Sequence, residues 1–557
     1  MPRVVVVGAG ISGLSLAYRL QALCPAGEVL VLDGASRVGG TIDTVRREGF
    51  LVEAGPNGFP DTNPSTLDLA GSLGLADQLL HASEAAARNR FLLLNGRLRL
   101  LPAGLTSFLG SDLLSWVAKV RLLTERFRPG RRGDGEESVH AFARRRVGDE
   151  VARTLVDPFV TGILAGDPKL LSAQAAFPRL AGWEREFGSV LKGLAAARRQ
   201  RLQQGVAGRA GKLWSFRDGL RTLVEALASR LRTPPLLGVA ATSIRRRPGG
   251  WRVTAEGHDG WDADAVALTC PAYRQAELLR EIDPAITQHL AGIAYNRVVV
   301  VGLGYRRDDV PHCLDGFGYL SPQRERRDVL GVQWCSSIYA DRAPPGRVLL
   351  RAICGGWHRG DVVDWPDDRL VAAVRAELAR AVGVRVAPVF IQVTRWPRAI
   401  PQYHVGHLAR IEAIERRLQG HPGLFVGGNA YRGVAINDCV EQAGRQAAKV
   451  ADYLRRATDG GSPPPPWSAG SRERRKGAAV QTDLKSWVPG GSSKSSLAQR
   501  GRASPGSSSA PGWGAAPTGG GRRRAPGTCW YGLARRGRGN CQIETSPPFW
   551  YLTPKGR

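Results

Sequence analysis

Gly8, Gly10 and Gly13 constrain this chain more than any other residues: they form G-x-G-x-x-G directly after four valines at positions 4–7. A β-branched run with no polar break predicts a parallel strand buried on both faces. The pattern then turns helical, with Leu14, Ala17, Tyr18 and Leu20 on one apolar face. In that setting Gly8 permits the tight turn, Gly10 lets backbone N–H groups approach a pyrophosphate, and Gly13 lets the helix lie close on the strand. Residues 29–32 predict a second buried strand ending in Asp33, twenty residues after Gly13. A carboxylate there accepts from a ribose hydroxyl and repels the extra phosphate of NADP. A lone glycine motif is weak evidence. Strand, helix and acid at their proper distances make it a dinucleotide site.

A chain of 557 residues buries a large core and divides into more than one domain. Its net charge of +29 is unevenly placed: residues 458–557 hold 16 Lys plus Arg against 4 Asp plus Glu, leaving +17 for the rest. With a nucleotide fold in view, that surplus points to an anionic membrane surface or an acidic substrate before nucleic acid, and no nucleic-acid partner is expected. The eight cysteines show no C-x-x-C pair and read as free thiols in a reducing compartment. His404 and His407 are the one close histidine pair; lacking cysteine or acidic companions, they read as core or surface histidines, and no metal site is expected.

Arg37-x-Gly39-Gly40-Thr41 offers a second glycine pair beside an arginine, suited to another phosphate approach. It resembles the FAD-binding continuation of the amine oxidase and protoporphyrinogen oxidase superfamily, which makes FAD the expected cofactor. The stretch E-A-G-P-N-G-F at 53–59, a turn containing Gly55, Pro56 and Asn57, resembles the protoporphyrinogen oxidase family more specifically. So do R-N-R-F-L-L-L-N-G-R-L at 88–98, D-P-F-V-T-G-I-L-A-G-D at 157–167, L-D-G-F-G-Y-L-S-P from Leu314, I-P-Q-Y-H-V-G-H from Ile400 and G-N-A-Y-R-G-V-A-I-N-D-C from Gly428. The blocks occur in the family's order and span residues 3–455. The resemblance implies oxidation of protoporphyrinogen IX to protoporphyrin IX through FAD, with O2 as acceptor. The flavin carries that chemistry, so no catalytic side chain is named.

The same resemblance implies FAD contacts at Gly8, Gly10, Gly13, Asp33, Arg37, Gly39, Gly40, Thr41, Gly55, Pro56 and Asn57. Backbone at Ala241 is expected at the adenine, with Gly428, Asn429, Val434, Ala435 and Ile436 completing the set. A helix over 440–453 is expected to aim its N-terminus at the flavin pyrimidine. For the substrate, Arg90 matches the arginine proposed to pair with a propionate, with Arg88 beside it as a rival. Gly162 and Gly166 match the loop at the substrate edge. Leu320, Gln333 and Ile353 fall at ring-lining positions, the last two departing from the apolar and aromatic types of some members.

The implied fold class is α/β: a Rossmann-like FAD-binding domain, an antiparallel-sheet substrate domain and a helical domain with a candidate membrane contact. Segments 1–87, 205–280 and 410–457 build the FAD domain, 88–204 the helical domain and 281–409 the substrate domain. Residues 458–557, rich in Gly, Ser, Pro and Arg, are expected to be a disordered basic tail. Residues 98–123 are apolar but broken by Pro102, Gly104, Asp112 and Lys119, a poor membrane span. They read as an interfacial segment with Phe108 and Trp116 at the lipid boundary and Lys119 and Arg121 on headgroups, or else as a helix buried in the protein. Residues 198–217 read as a basic surface loop. The expected partners are a porphyrinogen, O2 and a membrane surface, with hand-over to ferrochelatase and a homodimer as further expectations. The first strand starts almost at Met1, which predicts no leader ahead of it. The expected place is the cytoplasm, peripheral on the inner face of a bacterial membrane, with the mitochondrial inner membrane as alternative. Other readings are a coproporphyrinogen III oxidase of the same fold, which needs cations for four carboxylates, an amine oxidase, and a non-catalytic porphyrin or flavin carrier. Val434, Ala435 and Ile436, where an amine oxidase would want aromatics, count against the amine oxidase.

Overall fold

The computed structural model describes residues 1–458 except 103, 132, 134, 204–210 and 326, so the expected tail lies outside the described residues. The fold grows from the alternation within the strand Arg3–Val7. Val4 and Val6 enter one core with Leu14 and Leu20 of the helix Ile11–Leu23 and Val440 and Ala447 of the helix Ile436–Thr458. Val5 and Val7 enter the opposite core with Trp251, Ile286 and Ile411. Both faces are covered, which is why no position of the run is polar. Each such side chain removed from water stabilises the fold by about 1.5–3 kcal/mol.

Five parallel strands form this sheet, in the order Leu236–Leu237, Glu28–Asp33, Arg3–Val7, Ala265–Leu268 and Leu424–Val426. They come from three separate stretches of the chain. The long closing helix begins at Ile436, four residues before the expected start, because Asp438 turns back to accept from the backbone N–H of Ala435. Leu236–Leu237 joins the parallel sheet, and Ala241–Arg247 forms a hairpin with Gly250–Ala255.

A second sheet of seven strands runs Phe390–Trp396, Val298–Arg306, Arg347–Gly355, Val329–Trp334, Gly318–Leu320, Phe91–Leu94 and Arg97–Leu100. All neighbours are antiparallel except the pair Gly318–Leu320 and Phe91–Leu94. The hairpin over 91–100, expected in the helical part, therefore belongs to this second sheet. Val299, Val301, Val332, Trp334, Leu350 and Ala352 face the helix Asp367–Ala381, packing on its Leu370, Val374 and Leu378. The alternate residues face the other way. There Gly302 and Gly304 leave room for Val52 and Phe50 of the strand Phe50–Glu53, which docks the first sheet's loops on the second sheet.

Residues 105–203 are mainly helical and enclose a buried ion pair, Arg146 with Glu125. The predicted surface loop over 198–217 is instead the end of the helix Val190–Gln203 and, past the undescribed residues, the strand Leu213–Phe216. The predicted lipid-facing cations are also corrected. Lys119 is 3% exposed, and its Nζ donates to the carbonyls of Leu109 and Ser111 at 2.8 and 2.6 Å. Arg121 turns inward and donates to the carbonyl of Arg144. The break between Leu105–Gly110 and Trp116–Leu123 leaves carbonyls without helical partners, and Lys119 supplies them. No described helix is long and apolar enough to cross a membrane.

Candidate active site

Gly8 sits at φ +115°, where an added Cβ would meet Cys270 N at 2.8 Å. A Cβ on Gly13 would fall 1.9 Å from the Gly8 carbonyl oxygen, whereas one on Gly10 meets nothing within 4 Å. The motif thus divides into two glycines the fold requires and one that faces open space. The second glycine pair folds onto the first: Gly39 N donates to the Ala9 carbonyl at 2.8 Å, and a Cβ on Gly40 would lie 3.5 Å from the Gly10 Cα. Arg37 shapes this turn by donating to the carbonyls of Val38, Gly40 and Ile42. Thr41 is exposed beside it, and its carbonyl oxygen would be 1.9 Å from a Cβ on Gly55.

Asp33 closes the cradle. Its carboxylate accepts from Ala9 N at 2.6 Å and Ala35 N at 2.8 Å. A carboxylate has about four lone-pair sites, so capacity remains for a ribose. Ala241 is buried and pairs with Ala255 where the strand leaves the Asp33 end of the sheet.

Two further segments converge on the cradle. In the first, Gly55 and Pro56 lead to Asn57, which is buried with its Nδ2 lacking any partner. In the second, Gly428, at φ +105°, and Asn429 lead to Val434, Ala435 and the helix start at Ile436. Asn437 in that first turn is fully buried, donates to the Pro60 carbonyl, and has an unpartnered Oδ1. Tyr403 clamps the segment: its Oη donates to the Asn429 carbonyl and accepts from Gly433 N at 3.0 Å. Buried polar atoms without partners are costly unless something supplies them. With the open face at Gly10, they fit a dinucleotide carrying a polar ring system, as FAD does. Gly8, Gly10, Asp33, Asn57 and the Ile436 helix start are the groups that would hold it.

The seven-stranded sheet presents one face toward these loops. Leu320 lies opposite Gly331, Gly331 opposite Ile353, and Gln333 opposite Arg351, so all five side-chain positions share that face. Gly162 packs on Leu320, a Cβ there meeting both Leu320 methyls at 2.8 Å. Gly166 is buried and packs closely on Gln402, whose Oε1 would be 2.2 Å from its Cβ. Arg90 opens the strand whose Leu92 neighbours Leu320, and its guanidinium lies 4.8 Å from the Phe317 ring centre. Arg88, two residues earlier, is exposed and pairs with Glu84.

Sequence reasoning missed three residues. Arg351 is 2% exposed and donates to the Glu53 carbonyl at 2.7 Å, to the Gly55 carbonyl, and to Gln333 Oε1 at 2.7 Å. Trp396 Nε1 donates to the Ala54 carbonyl at 2.8 Å, joining the same loop to the same sheet. Tyr403 is the third. A lone cation in the run V-L-L-R-A-I-C was the available signal for Arg351; nothing local marked the other two. Of the two histidines expected in the core or at the surface, His407 is buried against Tyr403, with ring centres 4.1 Å apart, and His404 is half-buried against Trp357. Among the described residues no group of three or more His, Cys, Asp or Glu could hold a metal.

The profile of flavin containing amine oxidoreductases matches residues 11–451. The chain belongs to that family. This flavin-dependent oxidoreductase is 36% identical to protoporphyrinogen oxidase 1 of Arabidopsis thaliana chloroplasts, over 81% of its length and 88% of that protein's. It is 30% identical to coproporphyrinogen III oxidase of Bacillus subtilis, over 81% and 98%. Its fold matches a provisionally assigned protoporphyrinogen oxidase of Exiguobacterium sp. 255-15 at a TM-score of 0.70 and 25% identity, over 81% and 98% of the two chains. The expected cofactor, FAD, agrees with the family and with the cradle described above.

Proposed function

We propose that this oxidoreductase converts protoporphyrinogen IX to protoporphyrin IX. The observation that most supports this is the strip Leu320, Gly331 and Ile353, in register on the sheet face that Arg351 and Trp396 tie to the Gly55 loop. A porphyrinogen is a flexible apolar tetrapyrrole with two propionates, and it needs a broad apolar floor with a cation at its rim. Leu320 and Ile353 supply apolar surface, Gly162 and Gly331 keep it shallow, and Arg90 would orient a propionate through a charge-assisted bond. Bound FAD would accept two electrons in each of three rounds, O2 being reduced to H2O2 each time, so that six hydrogens leave the substrate. Protein side chains bind and orient.

A second reading is oxidation of coproporphyrinogen III. It is supported by the Bacillus subtilis relative and by Arg351, a buried cation on the same face. Anaerobic mixing of the yellow holoenzyme with each porphyrinogen, followed by admission of air, separates the two. Rapid flavin bleaching by the dicarboxylate alone is expected. Bleaching by the tetracarboxylate alone moves the enzyme to the second reading, and bleaching by neither sinks both.

The helical part also supports contact with a lipid surface. Trp116, Val117, Val120, Leu105 and Phe127 are exposed, Trp116 and Val117 to 64% and 79%, with Arg126 stacked on Phe127. Exposed apolar side chains with an arginine beside them suit insertion at the headgroup boundary. Co-sedimentation with vesicles containing one-third phosphatidylglycerol is the test. Binding is expected to fall at least tenfold in the Trp116→Ser, Val117→Ser double variant, and equal binding would end this reading.

A further inference from the structure

Arg351 makes three side-chain bonds, all to neutral oxygens: the carbonyls of Glu53 and Gly55 and the amide oxygen of Gln333. Among the described residues it makes no ion pair; the Glu53 carboxylate acts on it only at longer range, its own oxygens taken by Thr44 Oγ1 and Leu220 N. Burial pulls its pKa below the usual arginine value, as expected for a cation taken out of water without a full counter-charge. Such a group is expensive to keep in a core, and two of its acceptors belong to the loop that carries the unpartnered Asn57 Nδ2.

The bond to Gln333 has a second consequence. A guanidinium only donates, so Gln333 must turn its Oε1 toward it. The NH2 then points away from Arg351 and has no protein partner among the described residues, on a half-buried side chain that shares its face with Leu320 and Ile353. The amide is therefore a fixed donor in an otherwise apolar floor.

We propose that Arg351 is a positioning residue joining both halves of the site: it holds the Gly55 loop for the flavin and presents the Gln333 NH2 to the porphyrinogen. This rests on the substrate reading above for its second half only. The buried positive charge also favours an anionic reduced cofactor over the neutral oxidised one, raising the flavin potential.

The test uses holoenzyme of the wild type, Arg351→Met, Arg351→Lys and Gln333→Met. FAD affinity and flavin potential are measured without porphyrinogen, then KM and kcat with whichever porphyrinogen the wild type oxidises. Arg351→Met is expected to weaken FAD binding at least tenfold and to lower the potential by about 30 mV, a tenfold change for a two-electron couple. Arg351→Lys keeps the charge and most of the potential but still loses FAD affinity, because one ammonium cannot span three acceptors in a plane. Gln333→Met leaves FAD affinity within twofold and raises KM about tenfold with kcat within threefold. Wild-type FAD affinity in either folded arginine variant overturns the loop role, and an unchanged KM in Gln333→Met overturns the amide role. If Arg351→Met does not fold, Arg351→Lys and Gln333→Met decide both. Should neither porphyrinogen reduce the wild-type flavin, the substrate reading fails alone, and the FAD measurements still decide the loop role.

Discussion

Gly13 lies so close to Gly8 that a single added carbon would sit 1.9 Å from the Gly8 carbonyl oxygen. Gly10, between them, has no atom within 4 Å of the same carbon. The two kinds of glycine separate folding from cofactor binding.

Gly10→Ala is expected to fold with a melting temperature near that of the unliganded wild type and to lose FAD affinity at least a hundredfold. Its methyl occupies the approach a pyrophosphate needs. Gly13→Ala is expected to be insoluble or unfolded, because the helix must lift off the strand. Thermal melting with and without added FAD checks both.

Tyr403→Phe removes the hydroxyl that bridges the Asn429 carbonyl and Gly433 N. Leaving two backbone groups without that partner costs about 1–3 kcal/mol. The same change loosens the segment leading into the Ile436 helix, so FAD is expected to dissociate faster. Urea melts and flavin fluorescence after dilution measure the two effects.

Burial pushes the Asp438 carboxyl up to about 7, from an ordinary 3.8, with Glu441 adding to the rise and the bond from Ala435 N opposing it. Between those values the folded state holds a proton that the unfolded state has released. Stability therefore falls as pH rises from about 4 toward 7 and is flat above. Asp438→Asn is expected to flatten that slope. Melting temperatures between about pH 5 and pH 8.5 give the comparison, and equal slopes would contradict the assignment.

Glu125 is fully buried with Arg146 and also accepts from Ser189 Oγ, Val190 N and Leu191 N. Burial pushes its carboxyl up, but the bonds from Ser189, Arg146 and the two backbone amides leave it below the usual value. Its contribution is thus present above the unfolded carboxylate range and lost as pH falls through it. Glu125→Gln leaves Arg146 with Glu184, at 3.3 Å, as its remaining counter-charge, and is expected to cost less than the about 3–5 kcal/mol of a fully uncompensated buried charge near neutral pH. The gap from wild type should narrow on acidification, read by urea melts at the two pH values.

Much of the cofactor cradle was legible because its determinants are local. Four valines, three spaced glycines and an acid twenty residues on act within one strand, turn and helix. The lipid-facing cations were misread for the opposite reason. Lys119 looks like a headgroup ligand along the chain, but a break in the helix brings the carbonyls of Leu109 and Ser111 under it, and a cation among unpaired carbonyls binds them.

The sequence by itself determined the parallel dinucleotide sheet and the family to which the chain belongs, since periodicity and short motifs carry both. Only the tertiary structure decided that Gly166 packs closely on Gln402, that Tyr403 clamps the loop before the closing helix, and that Arg351 reaches the Glu53 carbonyl across 298 residues of chain. Hydrogen bonds of that span depend on where two sheets meet, and no local pattern of side chains encodes the meeting point.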